Sequence, residues 1–189
     1  MRWHRVGPQD PYRYRWGRFT GRRAPEPPRR REALRRLALR TAFFGVAYQL
    51  TGETKRAEAL YLRSLRIAPT PEAYTFLGWL HASQGHLATA IQDCKRAIRL
   101  DPEFGNPYND IGTYLTAMGR FQEAIPWFHK ALRAKRYRGL QFPYLNLGRV
   151  YELQMDWKKA QRMFETAVRV APDFLPARLA LRRILSRLN

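Results

Sequence analysis

The chain has 189 residues, 45% of them apolar, which is enough to bury a core and excludes wholesale disorder. Thirty-five Lys and Arg against fifteen Asp and Glu leave a formal charge of +20, which favours anionic surroundings and says nothing of fold. One cysteine, Cys94, excludes an intrachain disulfide framework and a cysteine-type zinc site, so a reducing, cytoplasmic setting is the expectation.

Residues 1–28 read as a basic, aromatic tail. Residues 1–37 hold twelve Arg against Asp10, Glu26 and Glu32, a net +9. No apolar segment follows the basic start, so a secretory signal is not expected, and the prolines argue against an amphipathic presequence. From Tyr12 to Phe19 aromatic and cationic side chains alternate. Such a segment could stack bases and neutralise phosphates, with Arg13, Arg15, Arg18, Arg22 and Arg23 as the contacts. It could equally rest on an anionic lipid surface, or be a solvated, disordered tail. No stretch has the roughly 20 predominantly apolar residues that a membrane-spanning helix needs.

Beyond the tail the dominant feature is a repeat. Gly45, Gly78, Gly112 and Gly148 are separated by 33, 34 and 36 residues. Ala57, Ala90, Ala124 and Ala160 keep the same steps, as do Ser64, Ala97, Ala131 and Ala167, and Tyr61, Cys94, Phe128 and Phe164. Pro69, Pro102 and Pro172 close three of the units, whereas Arg136 stands at that place in the third. Units therefore run near 38–70, 71–104, 105–138 and 141–174, with Gly139 and Leu140 inserted before the last.

Each column has a physical reason. Two apolar-periodic runs flank a break at Gly52, Gly85 and Gly119, the pattern of a helical hairpin whose first helix ends on a left-handed residue. Gly45 and its equivalents lie within the first helix, where glycine costs about 1 kcal/mol relative to alanine. Their recurrence predicts a close approach by the second helix, with the small residues of the second and third columns as its matching surface. The prolines end the second helices. Thr70–Pro71 and Asn106–Pro107 read as N-caps followed by Pro at the first helical position. Pro27–Pro28 precede a run, Arg29–Leu50, expected to be an extended first helix. Residues 175–188 continue the helical period with arginines on one side and read as a helix capping the open end of the array.

These landmarks resemble the tetratricopeptide repeat, a 34-residue helix–turn–helix unit. The second unit supplies Tyr74, Leu77–Gly78, His81, Gly85, Ala90, Cys94, Ala97 and Pro102; the fourth supplies Tyr144, Leu147–Gly148, Tyr151, Ala160, Phe164, Ala167 and Pro172. His81 in place of tyrosine, Met155 in place of the turn glycine and the missing third proline depart from the pattern. The last two, with the insertion, predict a changed angle between units three and four.

The resemblance implies an all-α, right-handed solenoid over residues 29–188 and a protein–protein scaffold that binds an extended peptide or helix in its groove. By the same resemblance the groove is lined by the second, fifth, ninth and twelfth residues of each unit. These are Leu39, Ala42, Val46 and Gln49; Glu72, Thr75, Trp79 and Ala82; Asn106, Asn109, Thr113 and Thr116; Phe142, Leu145, Arg149 and Glu152. The expected peptide contacts are Thr75, Trp79, Asn106, Asn109, Thr113, Phe142, Arg149 and Glu152, with the asparagines bonding peptide backbone and Arg149 a carboxylate. The chaperone-type carboxylate clamp is not expected, since its positions hold Ala42, Val46 and Phe76. The alternatives are a nucleic-acid-associated protein that uses the tail, or a structural subunit of a larger assembly, with self-association possible.

No catalytic or metal constellation emerges, and neither enzyme activity nor a cofactor is expected. His4, His81, His86 and His129 have no ligand spacing, and Cys94 sits in a column of small buried residues, where a thiol acts as a small hydrophobe.

Overall fold

The computed structural model describes residues 27–188; residues 1–26, which hold all five singled-out arginines of the tail, lie outside them. Three glycines set the hairpins: Gly52, Gly85 and Gly119 have φ of 81°, 83° and 73°. Met155 holds the fourth such position at φ 60°, so the turn keeps its left-handed residue without glycine. The cost of a side chain in that region, on the order of 1–3 kcal/mol, is borne there by the surrounding hairpin.

Around these turns the described residues form nine helices and no strand. The hairpins are α1 (Pro28–Leu50) with α2 (Thr54–Ile67), α3 (Pro71–Ser83) with α4 (Leu87–Leu100), α5 (Asn106–Ala117) with α6 (Phe121–Arg133), and α7 (Gln141–Leu153) with α8 (Trp157–Val170). A ninth helix, α9 (Leu175–Leu188), packs on α8 and α7. First helices touch the next first helix, whereas second helices touch only first helices. The array is therefore an α-solenoid, closed along the first helices and splayed along the second, which defines an inner and an outer face.

The glycine column records the tightest packing. A Cβ at Gly45 or Gly112 would fall 2.6 Å from the ring of Tyr61 or Phe128, and at Gly148 it would overlap the ring of Phe164. The approach was expected to come from the small residues of the second helix; in units one, three and four it comes instead from the aromatic column, and in unit two Ala90 of the small column is nearest. The alanine column supplies only carbonyls at that spot, with Ala57 O 3.2 Å and Ala90 O 3.1 Å away. In unit two Cys94 Sγ takes the ring's place. The third column meets an earlier turn, where the buried Ser64 hydroxyl donates to Ala38 O at 2.7 Å.

Caps divide the same way. Thr70 accepts from the Ala73 N–H at 3.2 Å and caps α3. Asn106 does not cap α5: the helix already begins there, Gly105 precedes it, and no side chain caps it.

The missing proline of unit three has a structural counterpart. The segment after α6 runs beside the turn that precedes α5. Arg136 N–H donates to Glu103 O at 2.8 Å, and Gly105 N–H donates to Arg136 O at 3.3 Å. Proline at 136 would lack that donor. Tyr137 packs directly on Gly105, where any Cβ would overlap it. The Arg136 guanidinium lies 5.0 Å from the Phe104 ring centre and pairs with Asp101 and with Glu72 at 2.8 Å. Arg136 and Tyr137 thus form a clasp that binds the end of unit three back onto the turn after unit two.

Candidate functional site: the inner face

The inner face is built from the first helices, and the sixth residue of each unit proves as important there as the positions singled out in the sequence. In units one and two this residue is Phe43 and Phe76, whose rings meet edge to face at 5.4 Å. Trp79 lies one turn further on, 40% exposed. In unit four it is Asn146, which donates to Asn109 Oδ1 at 3.1 Å and Thr113 Oγ1 at 3.3 Å. The groove is therefore aromatic at its first half and amide- and hydroxyl-lined at its second.

Most of the expected contact residues reach this surface. Asn106, Thr113 and Arg149 are exposed, and Asn109 is half-buried. Phe142 is 44% exposed and stacks edge to face on Phe174 at 5.2 Å. Thr75 is the exception: it is buried, and its hydroxyl donates to Pro71 O one turn back, so it offers nothing to a ligand. Ala42 and Leu145 are likewise buried in the core.

The groove carboxylates are neutralised from within the chain. Glu72 is held by Arg136 at 2.8 Å, with Arg35 at 4.0 Å, while its Oε2 is buried without a hydrogen-bond partner. Glu152 accepts two bonds from Arg183 of α9, at 2.9 and 2.6 Å. Its acceptors are occupied, so it is a strut to the terminal helix as much as a groove residue. Arg149, by contrast, makes no ion pair with any described residue. It borders a cavity of about 310 Å³ shared with Thr113, Thr116, Asn146, Leu153 and the edge of Phe128. One unpaired guanidinium beside donors, acceptors and an apolar floor suits an extended chain carrying a carboxylate.

Beneath the polar half, burial pushes the Asp110 carboxyl up from 3.8 to about 7, opposed by a hydrogen bond from Asn109. Sequence reading passed over Asp110 and Asn146 because both stand at the sixth position. Their only signal was the break in a column that begins with two phenylalanines.

Elsewhere Asp93 and Cys94 are buried within the packing, and His81 stands beside them. His81 Nδ1 lies 2.7 Å from Asp93 Oδ2, and Arg96 reaches the other oxygen of that buried carboxyl at 2.7 Å. His86 and His129 are exposed. Cys94 is buried, and burial raises its thiol well above its ordinary value. Among the described residues no three His, Cys, Asp or Glu gather as a metal site, and no helix is long and apolar enough to cross a membrane.

Comparison with known proteins gives a consistent match. Models of the tetratricopeptide repeat match residues 42–72, 71–104 and 104–173. The chain is 34% identical over 110 residues to the TPR repeat-containing protein PA4299 of Pseudomonas aeruginosa, covering 58% of this chain and 44% of that one. It is 32% identical over 88 residues to the TPR repeat-containing protein YpiA of Bacillus subtilis, covering 45% and 21%. The chain thus spans less than half the length of these curated relatives. Among solved structures it is similar to Pseudomonas aeruginosa pilF, with a TM-score of 0.74 at 21% identity over 83% of this chain and 70% of that one. PilW, a type IV pilus biogenesis factor, gives 0.72 at 20% over 78% and 68%. YrrB, described as a TPR protein with an unusual peptide-binding site, gives 0.60 at 22% over 73% and 71%.

Proposed function

The chain belongs to the tetratricopeptide repeat family, and from that premise we propose that it is a non-catalytic protein–protein interaction scaffold whose inner groove holds an extended peptide or a helix of another protein. The observation that carries this reading is the charge and polarity of the groove. Its own carboxylates are tied up by Arg136 and Arg183, leaving Arg149 without an ion pair among the described residues, beside Asn109, Thr113 and Asn146. A segment lying along it would meet the exposed rings of the first half and the donors and acceptors of the second. The peptide-binding site attributed to YrrB supports a peptide as the occupant, on a shared fold alone.

Interface energy concentrates in a few residues, tryptophan foremost, at roughly 2 kcal/mol or more each. The double variant Trp79→Ala, Asn109→Ala should therefore weaken capture of a groove partner at least tenfold in a quantitative pull-down, with the helical circular dichroism unchanged. Undiminished capture would move the contact off this face.

A further inference from the structure

The outer face carries a second ladder that the groove does not use. Arg66, Arg99, Arg133 and Arg169 stand near the ends of α2, α4, α6 and α8, separated by 33, 34 and 36 residues, the steps of the glycine column. All four are exposed, and none is paired with a carboxylate among the described residues. One turn earlier stand Arg63, Arg96 and Lys130, the last still within the final turn of α6; among the described residues only Arg96 of these meets a carboxylate, the buried Asp93. The helix dipole accounts for a cation in each last turn. It does not call for Arg63 or Arg96, which precede the last turns of α2 and α4.

A cavity of about 400 Å³ opens beside this ladder where α4 and α6 splay apart. Its walls include Tyr108 and Trp127, with ring centres 6.1 Å apart, together with Lys130 and Arg133. Lys130 Nζ rests 4.4 Å from the Trp127 ring centre, over a face of the indole. The one carboxylate at the rim, Glu103, is offset by Lys135 at 3.6 Å.

We propose that the outer face binds single-stranded nucleic acid, with phosphates following the arginine ladder and a base entering the Tyr108–Trp127 cavity in place of Lys130. Evenly stepped cations interleaved with an aromatic platform are what a polyanion with stackable bases requires. A lipid surface is the weaker match. The second helices do not touch one another, so the ladder follows the splayed side of the array, which a flexible strand can track and a flat bilayer meets at few points.

The test uses the full chain and a fluorescein-labelled oligouridine about twenty nucleotides long, read by anisotropy across a salt series. Binding should weaken steeply with salt. Reversing Arg66, Arg99, Arg133 and Arg169 together to glutamate should weaken it at least tenfold. It should also reduce the log–log salt slope by about 3, at roughly 0.7 per lost phosphate contact. Four reversals off the ladder, at Arg36, Arg40, Arg120 and Arg182, impose the same change of net charge and should cost much less. Trp127→Leu should lose about tenfold at an unchanged slope. If that variant misfolds, the reversal pair still decides. Equal losses from the two sets of reversals, or no loss from the ladder set, would overturn the proposal. So would affinity for phosphatidylserine vesicles with none for oligouridine. The groove variant Trp79→Ala, Asn109→Ala should keep oligouridine binding and the ladder variant should keep partner capture, so the two readings fail separately.

Discussion

Replacing Gly148 by alanine is expected to destabilise the array by about 2 kcal/mol, and the same change in a Phe164→Ala background to cost nothing or to stabilise. Two effects of opposite sign meet at this position. Alanine is the better helix former by about 1 kcal/mol, and Gly148 lies within α7, so propensity favours the substitution. Against it, the new methyl would overlap the Phe164 ring, with even the farthest of the three ring atoms it meets, Cζ, only 2.9 Å away. Phe164 is fully buried and has nowhere to go, so overpacking costs about 3 kcal/mol, the upper end of its usual range, and outweighs the roughly 1 kcal/mol that propensity returns. Truncating Phe164 by itself should cost about 3–5 kcal/mol. Once the ring is gone, the methyl fills part of the hole and the propensity gain is free to appear. Unit two provides the comparison: a Cβ at Gly78 would lie 3.1 Å from Ala90 O and 3.2 Å from Cys94 Sγ, a contact that small shifts relieve. Gly78→Ala should accordingly lie within about 0.5 kcal/mol of the parent. Urea unfolding of the four chains of the cycle, with Gly78→Ala alongside, measures the coupling. Purely additive costs would show that the aromatic column does not explain the glycine column.

Why the register was legible and parts of the surface were not follows from the same residues. A stacked array repeats its closest contacts, so Gly45, Gly78, Gly112 and Gly148 recur with their partners at fixed steps and announce the hairpins. The partner was harder to name. Two columns of small residues and the aromatic column all recur, and only the structure shows that in three units the ring edge, not the methyl, fills the glycine notch. Turn geometry was written in glycine three times out of four. At Met155 the left-handed residue persists because the hairpin demands it, not because the side chain prefers it.

The groove was legible to the extent that a helix face is. Positions two, five, nine and twelve share a face, but Thr75 and Leu145 lie on the side of it that turns into the core. Charge was less legible, because ion pairs between units join residues far apart in the chain. Glu72 pairs with Arg136 across 64 residues and Glu152 with Arg183 across 31, and no periodicity connects them. The absent third proline was visible as a gap. That the gap admits a backbone donor and a guanidinium clasp depends on two turns lying side by side.

Asp110 offers the second large effect, and its sign opposes that of most carboxylates. Burial raises its pKa from 3.8 to about 7, so within that window the folded chain holds a proton that the unfolded chain releases. Its contribution is whole below the unfolded value and is lost as pH rises through the folded one. No lysine or arginine among the described residues pairs with it, and Asn109 alone bonds it, so nothing offsets the charge once it forms. The groups around it, the Cys94 thiol and the Tyr114 and Tyr137 phenols, are themselves pushed upward and stay protonated throughout. Asp110→Asn keeps the shape and the bond to Asn109 while removing the titration. It should therefore stabilise the array at pH 8 by on the order of 2–4 kcal/mol and leave it unchanged at pH 4. Contributions from every other group are common to both chains and cancel in the difference. Urea midpoints of the two proteins, followed from pH 4 to pH 8, should start together and diverge as the parent weakens. Parallel curves would mean that water or a local opening already solvates the carboxylate, and that the floor beneath the polar half of the groove is not dry.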